Sequence, residues 1–307
     1  MILGKVGLSV IKSDELKRIN LYLEAVSTPD NKKRTDSASG IVFSMDRALQ
    51  LHALLSSYLE QVEKPAPLHL FYKTSNAMHQ KAYDEIIEMF SGKLASVSVQ
   101  KPFRGKLIEL LEAVESSKMF YLVDDDVFID KIDMMDYAGY DTRYFIPSMR
   151  LGLNLKRNYT YGREQALPRW VNFPQGGKDR SFWRWREGEL DWAVPCSIDG
   201  NLLDTKEILH LSRIIPYQAP NTYESALLAY AKWFGYRYGV CYSKSKIVNI
   251  PCNMVQTEIA NIHGSLHQDA LLERWQKGLQ IDYRALYGVV NESAHQDVPF
   301  NFIKRAN

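Results

Sequence analysis

The chain has 307 residues, and its 38 Lys and Arg residues nearly balance 36 Asp and Glu residues, which gives a formal net charge of +2. This balance excludes the strongly basic surface typical of nucleic-acid binders, and we expect no nucleic-acid partner. Apolar residues form 46% of the chain, enough for a large core, but no stretch approaches the roughly 20 apolar residues of a membrane span. Because Lys5 interrupts the weakly apolar start and no small-residue cleavage site follows, we expect no signal peptide and a cytoplasmic protein.

The first predicted element is a short amphipathic helix over residues 14–26, with Ser13 as its N-cap. Its apolar face is predicted from four residues that share one side of the helix: Leu16, Ile19, Leu23 and Val26. A polar stretch over residues 28–40 then breaks the periodicity.

Residues 41–123 alternate between predicted strands and predicted helices. The strands are short apolar or alternating runs at 41–43, 68–73, 95–100 and 119–123. The helices between them follow from apolar residues at helical spacing around 51–59, 78–90 and 107–114. This order predicts the α/β fold class: a Rossmann-like, mostly parallel open sheet with helices on both faces. After residue 132 the pattern loosens into a loop-rich half, with a strand near 144–148 and helices near 202–211 and 223–233.

Three consecutive carboxylates, Asp124, Asp125 and Asp126, end the fourth predicted strand. Ligands of open parallel sheets bind at the carboxyl ends of strands. Acidic side chains beside an apolar strand are costly to bury unless a cation or hydrogen-bond donors compensate them. Hard cations take oxygen ligands, often carboxylates plus substrate phosphate oxygens. The triplet therefore predicts an Mn²⁺ or Mg²⁺ site beside a diphosphate leaving group, with a solvated acidic turn as the alternative.

Further segments surround the triplet in a fixed order: 43–51, 149–154, 191–192 with 197–200, 221–224 and 248–256. Together with Asp124-Asp125-Asp126 in the position of a DXD motif, they resemble bacterial GT-A-type glycosyltransferases of surface-polysaccharide biosynthesis. The resemblance covers about residues 41 to 257. It implies a GT-A-like fold and a metal-dependent transfer of sugar from a nucleotide-diphosphate sugar to a glycan or lipid-diphosphate-linked glycan acceptor.

The resemblance also divides the chain. Residues 1–40 form an N-terminal helix and polar segment, 41–135 a nucleotide-sugar-binding half, and 136–307 an acceptor-binding half with a C-terminal segment. No Gly/Ser/Pro-rich spacer separates the halves, so we expect one continuous domain.

Several roles follow for single residues. The expected nucleotide and diphosphate contacts are Ser44, Asp46, Arg47, Arg104, Lys106, Asp124 and Asp125. We expect Asp126 to bind the metal directly, Asp124 to act at the ribose or behind the metal, and His263 to be an additional metal ligand. The alternatives are plain surface or helix-start roles for the three basic residues, and an ordinary hydrogen-bonded histidine.

An inverting transfer also needs a base for the acceptor hydroxyl, whereas a retaining one needs no dedicated base. We expect Glu224 to be that base and Asp199, next to Gly200, to contact the acceptor. Asp191 is a third candidate. Glu224 also lies at a predicted helix start after Asn221, where its carboxylate would instead complete a capping box.

Residues 156–189 combine many basic and aromatic side chains. We interpret the segment as a mobile lid or as a surface for a lipid-diphosphate acceptor at the inner face of the cytoplasmic membrane. Cation–π stacking inside a folded loop is the alternative.

Other classes of protein use a similar sheet. A catalytically silent glycan-binding or scaffolding module and a nucleotidyltransferase remain alternatives, although no Gly-rich phosphate loop follows the first strand. A dehalogenase-type phosphatase is disfavoured because Phe128 stands where that class has Thr or Val.

Overall fold

The computed structural model describes residues 2–29, 32–173, 179–251 and 267–305. Its α-helices are α1 (Ile2–Ser27), α2 (Ala48–Gln61), α3 (Ala77–Met89), α4 (Phe103–Ala113), α5 (Met134–Ala138), α6 (Thr205–Ile214), α7 (Pro220–Leu228), α8 (Ala231–Phe234) and α9 (Gln268–Gln276). Short 3₁₀ helices lie at Trp185–Glu187, Leu190–Ala193 and Tyr283–Leu286. Within these described ranges, no helix has both the length and the apolar character that crossing a membrane requires.

The strands of the same ranges are β1 (Thr35–Met45), β2 (Val62–Glu63), β3 (Leu68–Lys73), β4 (Leu94–Val99), β5 (Ser116–Val123), β6 (Asp126–Phe128), β7 (Ile132–Asp133), β8 (Phe145–Gly152), β9 (Arg157–Asn158), β10 (Arg163–Glu164), β11 (Arg180–Arg184), β12 (Leu203–Asp204), β13 (Tyr238–Tyr242), β14 (Ile247–Asn249), β15 (Leu279–Ile281) and β16 (Phe302–Lys304).

The main sheet has five strands in the order β12-β5-β1-β3-β4. The four strands predicted over residues 41–123, β1, β3, β4 and β5, pair with one another in parallel. The short edge strand β12 is antiparallel to β5. The predicted fold class, a mostly parallel α/β sheet of the Rossmann-like kind, is therefore confirmed.

Alternating side chains of the sheet enter two separate cores. Val42 and Leu122 pack with α2 and α3 on one face, whereas Ile41 and Tyr121 pack with α4 and α6 on the other. This alternation follows from the two-residue repeat of a strand. Full burial of each such side chain stabilises the fold by roughly 1.5–3 kcal/mol. Since both faces of the sheet carry apolar side chains, helices cover both faces, as predicted.

Two local predictions near the N-terminus are wrong. The first helix begins at Ile2, so Ser13 lies inside it and is not its N-cap. The predicted apolar face is largely exposed, with Leu16 at 59% and Leu23 at 52%. Tyr22 makes the tertiary contacts instead: its hydroxyl donates to Glu207 at 2.6 Å, and its ring stacks on Trp233.

The polar stretch after this helix also differs from expectation. Residues from Thr35 onward already belong to β1 and pair with β5, starting at Ser116. Backbone pairing with a buried neighbour outweighs the polar composition there, because a strand needs only its main-chain groups for the ladder.

The C-terminal segment packs on the core of α2. Its side chains Trp275, Ile281 and Tyr283 belong to the same cluster as the α2 residues. On the outer side of α2, Glu60 accepts hydrogen bonds of 2.8 Å from the hydroxyls of Tyr283 and Tyr287. Residues 275–287 are therefore fixed to the strand–helix half of the molecule, the alternating strands and helices of residues 41–123.

Candidate active site

The aspartate triplet meets the end of the first strand because β1 and β5 are parallel neighbours. Phe43 pairs with Val123 in the ladder, and the backbone N–H of Asp124 donates to the Phe43 carbonyl at 3.1 Å. The residues that follow each strand therefore share one edge of the sheet. Strand pairing thus brings Ser44 and Arg47 to the triplet, and their nucleotide contacts stay a prediction.

Asp124 is a buried carboxylate with a full set of donors. One oxygen accepts from the Ser44 hydroxyl at 2.7 Å and from the Met45 backbone N–H at 3.0 Å. The other accepts from Arg47 Nη1 at 2.9 Å. Three donors from the end of β1 offset the cost of burying this charge.

Arg47 joins Asp124 to Asp125. The same Nη1 lies 2.6 Å from Asp125 Oδ2, so Arg47 is not a plain surface residue. Asp125 Oδ1 is buried without a hydrogen-bond partner. Burial raises the pKa of Asp125 to about 7, since the opposing effect of Arg47 is partly cancelled by Asp124 and Asp199.

Asp126 is fully buried. Its carboxylate accepts from the Val123 backbone N–H at 2.9 Å and from Asn249 Nδ2 at 3.2 Å. Asn249 arrives there because β14 pairs antiparallel with β6, opposite Asp126. Burial, followed by the nearby charge of Asp199, raises the pKa of Asp126 well above its usual range.

Asp46 also follows β1, but its side chain is directed away from the triplet, toward Ser75 and His79. Its backbone is in the left-handed region with φ 54°, and Oδ1 accepts from the Ser75 backbone N–H at 2.9 Å. The imidazole of the fully buried His79 lies 3.8 Å from the same oxygen. The side chain is therefore directed to the β3–α3 loop, and its predicted nucleotide contact stays a prediction.

Asp199 reaches this edge of the sheet from the second half of the chain. The backbone N–H of the next residue, Gly200, donates to the Tyr121 carbonyl of β5 at 2.7 Å. Gly200 has φ 69°, and a Cβ there would lie 2.8 Å from Ile247 Cδ1. A glycine is required at this position, and it holds Asp199 beside the end of β5.

A guanidinium and an imidazole contact the carboxylate of Asp199. Arg150 Nη1 lies 3.5 Å and His295 Nε2 3.4 Å from Asp199 Oδ2. Burial acts to raise the pKa of Asp199, but His295 and Arg150 outweigh it and lower the pKa below its usual value. These two contacts therefore favour the ionised form of Asp199.

Glu224 lies beside the backbone that precedes Asp199. Its Oε1 accepts from the Ser197 hydroxyl at 3.0 Å and from the Ile198 backbone N–H at 3.1 Å. Burial, and then the charge of Asp199, raises the pKa of Glu224.

The capping-box alternative for Glu224 is wrong. The helix α7 starts at Pro220, and the Thr222 hydroxyl, not Glu224, accepts from the N-cap backbone N–H of Ala219.

The third candidate base, Asp191, is fully paired. One oxygen accepts from Arg150 Nη2 at 3.3 Å, and the other accepts from Asn158 Nδ2 at 2.9 Å. Arg150 is 5% exposed and lies between Asp191 and Asp199. Both oxygens of Asp191 are thus held by protein donors.

Sequence reasoning missed Arg150, His295 and Asn249 as parts of this site. Arg150 could have been found, because it is a charged residue inside the mostly apolar strand β8 and buried charges need partners. Asn249 belongs to the segment 248–256 that carries the family resemblance, but no role was predicted for it. His295 carries no local sequence signal, because tertiary contacts alone bring it to Asp199.

The two basic residues at the start of α4 have other contacts. Arg104 donates to the carbonyl of Arg213 and lies 5.7 Å from the centre of the Tyr217 ring. Lys106 pairs with Glu109 at 2.6 Å. No contact with the triplet is found for either in the described chain, and their diphosphate role stays a prediction.

A metal centre is not preformed in the described part of the chain. Within those residues, no three His, Cys, Asp or Glu side chains are grouped so that they could hold a metal ion. The predicted ligand His263 lies in residues 252–266, outside the described ranges.

Several arginines of the basic and aromatic segment stack on rings within the fold. Arg180 lies 3.9 Å above the Tyr242 ring, and Arg184 lies 4.5 Å above the Tyr238 ring. Both stacks join β11 to its neighbour β13. These contacts support the cation–π alternative, and the lid and membrane roles stay predictions.

No protein-family description matches this chain, and no curated protein matches its sequence. Among solved structures, the chain is similar to S. aureus TarS, with a TM-score of 0.45 and 15% identity over 69% of this chain and 36% of TarS. The 1–349 fragment of TarS in complex with UDP gives a TM-score of 0.44 and 14% identity, covering 69% of this chain and 59% of the fragment. A nucleotidyl transferase from Methanothermobacter thermautotroptrophicus gives 0.40 and 12%, covering 69% and 89%. The matched part is less than two thirds of either TarS chain, so function must be argued from the site itself.

Proposed function

We propose that this protein is a metal-dependent glycosyltransferase, which moves a sugar from a nucleotide-diphosphate sugar to a hydroxyl of a glycan. The observation that supports this best is the meeting of two carboxylate groups at the carboxyl edge of the parallel sheet. Asp125 and Asp126 come from the strand–helix half, and Asp199 and Glu224 come from the other half. Donor chemistry and acceptor chemistry each need such a group, and the two must lie close together.

The donor side is short of positive charge. Asp125 has a buried oxygen without a partner, and the pKa of Asp126 is raised by burial and by Asp199. Carboxylates in this condition fit a divalent cation, which favours oxygen ligands. Mg²⁺ in particular is commonly held by one or two carboxylates plus substrate phosphates, so a grouping of three protein ligands is not required.

In this proposal Asp126 would hold Mn²⁺ or Mg²⁺ directly. Asp124 would act at the ribose or behind the ion, because Ser44 and Arg47 already hold its oxygens. His263 would be an additional ligand. The bound ion would supply positive charge where negative charge develops on the departing diphosphate.

The residues at the end of β1 would bind the nucleotide. Arg47 is a guanidinium already placed over the triplet, and it would share its charge with the diphosphate through bidentate hydrogen bonds. Ser44 and Asp46 would contact the nucleoside. Arg104 and Lys106 would assist from the start of α4.

On the acceptor side we assign the base to Glu224 for an inverting transfer. Its raised pKa means that it takes up a proton more readily than an ordinary glutamate near neutral pH. Asp199 stays ionised and would accept a hydrogen bond from the acceptor sugar. Asp191 would support Arg150 behind it.

The acceptor in this proposal is a glycan or a lipid-diphosphate-linked glycan of bacterial surface-polysaccharide assembly. The protein would act in the cytoplasm, with peripheral contact at the inner face of the membrane. Basic and aromatic side chains between residues 156 and 189 would make that contact.

Calorimetric binding of a panel of nucleoside diphosphates (UDP, GDP, CDP, ADP and dTDP), with and without Mn²⁺, tests the donor site. We expect one of them to bind only with the metal. Asp126→Asn should weaken that binding by about 100-fold, or about 2.7 kcal/mol. The matched control is Asp130→Asn, since Asp130 pairs with Lys246 at 2.6 Å and is 41% exposed; this variant should bind like the wild type.

Two outcomes would contradict the proposal. If none of the nucleotides binds under any metal condition, the donor site is wrong and a silent glycan-binding module becomes the better interpretation. If the protein instead releases pyrophosphate from a nucleoside triphosphate and a sugar phosphate, it is a nucleotidyltransferase.

A further inference from the structure

Residues 291–297 lie against the candidate site and are anchored on one side by the loop after β8. The backbone N–H of Lys156 donates to the Glu292 carbonyl at 2.9 Å. Asn154 Nδ2 donates to Asn291 Oδ1 at 2.9 Å. These contacts hold the segment without any regular strand or helix.

The other side of the segment is held by β14. The backbone N–H of Asn249 donates to the Ala294 carbonyl at 3.0 Å, and the N–H of Gln296 donates to the Asn249 carbonyl at 2.9 Å. The Asn249 side chain in turn donates to Asp126. One residue therefore joins the triplet to the segment that carries His295.

This anchoring brings His295 to the carboxylate of Asp199. Its Nε2 lies 3.4 Å from Asp199 Oδ2, and Arg150 Nη1 lies 3.5 Å from the same oxygen. Arg150 is 5% exposed and His295 is 28% exposed. A buried carboxylate oxygen in contact with a guanidinium and an imidazole is restricted in position, and its anionic form is stabilised.

We propose that His295 is a positioning residue of this site: paired with Asp199 opposite Arg150, it fixes that carboxylate as the anion that holds the acceptor sugar. The inference rests on the proposed function for the role of Asp199, but the pairing itself does not.

The pairing also separates two neighbouring carboxylates by role. Asp199 and Glu224 interact electrostatically, so ionisation of one disfavours ionisation of the other. Because His295 and Arg150 stabilise the anion on Asp199, Glu224 is the member of this pair with the higher affinity for a proton. His295 therefore influences which of the two carboxylates acts as the base.

The protonation of His295 agrees with this arrangement. Burial acts to lower the pKa of the imidazole, but its contact with Asp199 prevails and raises the pKa above the usual 6.5. Arg150 opposes this rise, and Asp191 adds to it.

The test is an NMR titration of the histidine side chains in protein labelled with ¹⁵N-histidine, without any nucleotide or metal. His295→Gln identifies the signal. We expect the His295 signal to titrate above 6.5 in the wild type and to fall below it in Asp199→Asn, where burial is no longer offset. Asp191→Asn is the matched control, a buried carboxylate that also pairs with Arg150, and it should leave His295 titrating above 6.5.

A second measurement tests the positioning role. With the nucleotide found in the panel, His295→Gln should keep the wild-type affinity within about threefold, whereas turnover of the matching nucleotide sugar falls by about tenfold or more. The pH at which turnover rises should also shift, which a merely structural role would not produce.

The outcomes separate the two proposals. A His295 signal that titrates at or below 6.5 in the wild type, or that ignores Asp199→Asn, overturns the pairing. Unchanged turnover in His295→Gln overturns the positioning role. A confirmed pairing in a protein that binds no nucleotide overturns the proposed function, and with it the acceptor role of Asp199, but leaves the pairing standing.

Discussion

The two carboxylate groups of the site differ in the source of the groups that compensate their charge. The aspartate triplet takes its donors mostly from the end of β1, through Ser44 and Arg47. The group around Asp199 takes its partners from distant parts of the chain, Arg150 on β8 and His295 in the C-terminal segment.

This difference separates a site held by secondary structure from one held by tertiary packing. Parallel pairing of β1 with β5 alone brings Arg47 to the triplet. Asp199 meets His295 only after β14 and the C-terminal segment have packed. The contacts of Asp124 with the end of β1 should therefore tolerate changes in the second half of the chain, whereas Asp126 also needs Asn249 of β14. The group around Asp199 depends on the whole fold.

The largest effect on stability is expected from Arg150→Met. The change leaves Asp191 and Asp199 buried without their shared cation, which costs about 3–5 kcal/mol. Urea denaturation measures the loss. The control is Arg143→Met, since Arg143 is 75% exposed beside Asp141 and a solvent-exposed ion pair contributes little to stability. Equal losses in the two variants would contradict the special status of Arg150.

Arg47→Met should cost less, about 2 kcal/mol. Asp124 and Asp125 both lose their contact with Arg47, but Asp124 keeps the Ser44 hydroxyl and the Met45 backbone N–H after the change. Denaturation under the same conditions provides the comparison. A greater loss than in Arg150→Met would reverse the ranking of the two groups.

The pH dependence of stability should also distinguish the groups. The pKa of Asp125 is about 7 in the folded protein against 3.8 unfolded, so between these values the folded state binds its proton more tightly. The contribution of Asp125 to the free energy of unfolding is therefore full below pH 3.8 and is lost as the pH rises to about 7. In metal-free protein, Asp125→Asn should therefore become more stable than the wild type as the pH rises across this window, by about 1–2 kcal/mol.

Urea midpoints between pH 4 and pH 8 test this difference. For Asp199 the folded pKa is lowered, so its contribution has the opposite sign and is lost as the pH falls. If the difference in stability between Asp125→Asn and the wild type is the same at every pH, the negative charge of Asp125 is already balanced in the folded protein.

The smallest effect is expected from His295→Gln, a loss below about 1 kcal/mol, because the imidazole is 28% exposed and Arg150 still holds Asp199. A stability loss as large as that of Arg150→Met would mean that His295 supports the fold more than it positions the carboxylate.

The parts of the molecule that could be predicted from the sequence are those whose structure is determined by neighbouring residues in the chain. The strand–helix alternation over residues 41–123 is a periodic signal, and the structure contains the predicted strands and helices within a few residues. The helix α1 is a counterexample, since Leu16 and Leu23 share a face but the tertiary contacts run through Tyr22. Periodicity identifies a face, and packing decides whether that face is used.

The same distinction applies to the site. The triplet is contiguous and follows an apolar strand, so its position at the edge of the sheet could be predicted. Gly200, beside Asp199, has a φ of 69°, in the left-handed region that favours glycine. The pairing of Asp199 with His295 has no such local cause, because it depends on the hydrogen bonds that Asn249 makes with residues on either side of His295.

The attachment of the C-terminal segment to Glu60 also sets an order of assembly during translation. The ribosome releases α2 and the triplet long before Tyr283, Tyr287 and His295 are made. Until then Glu60 lacks its tyrosine partners, and Asp199 lacks one of its two cationic neighbours. The site is therefore complete only after residues 283–297 have been made and have docked.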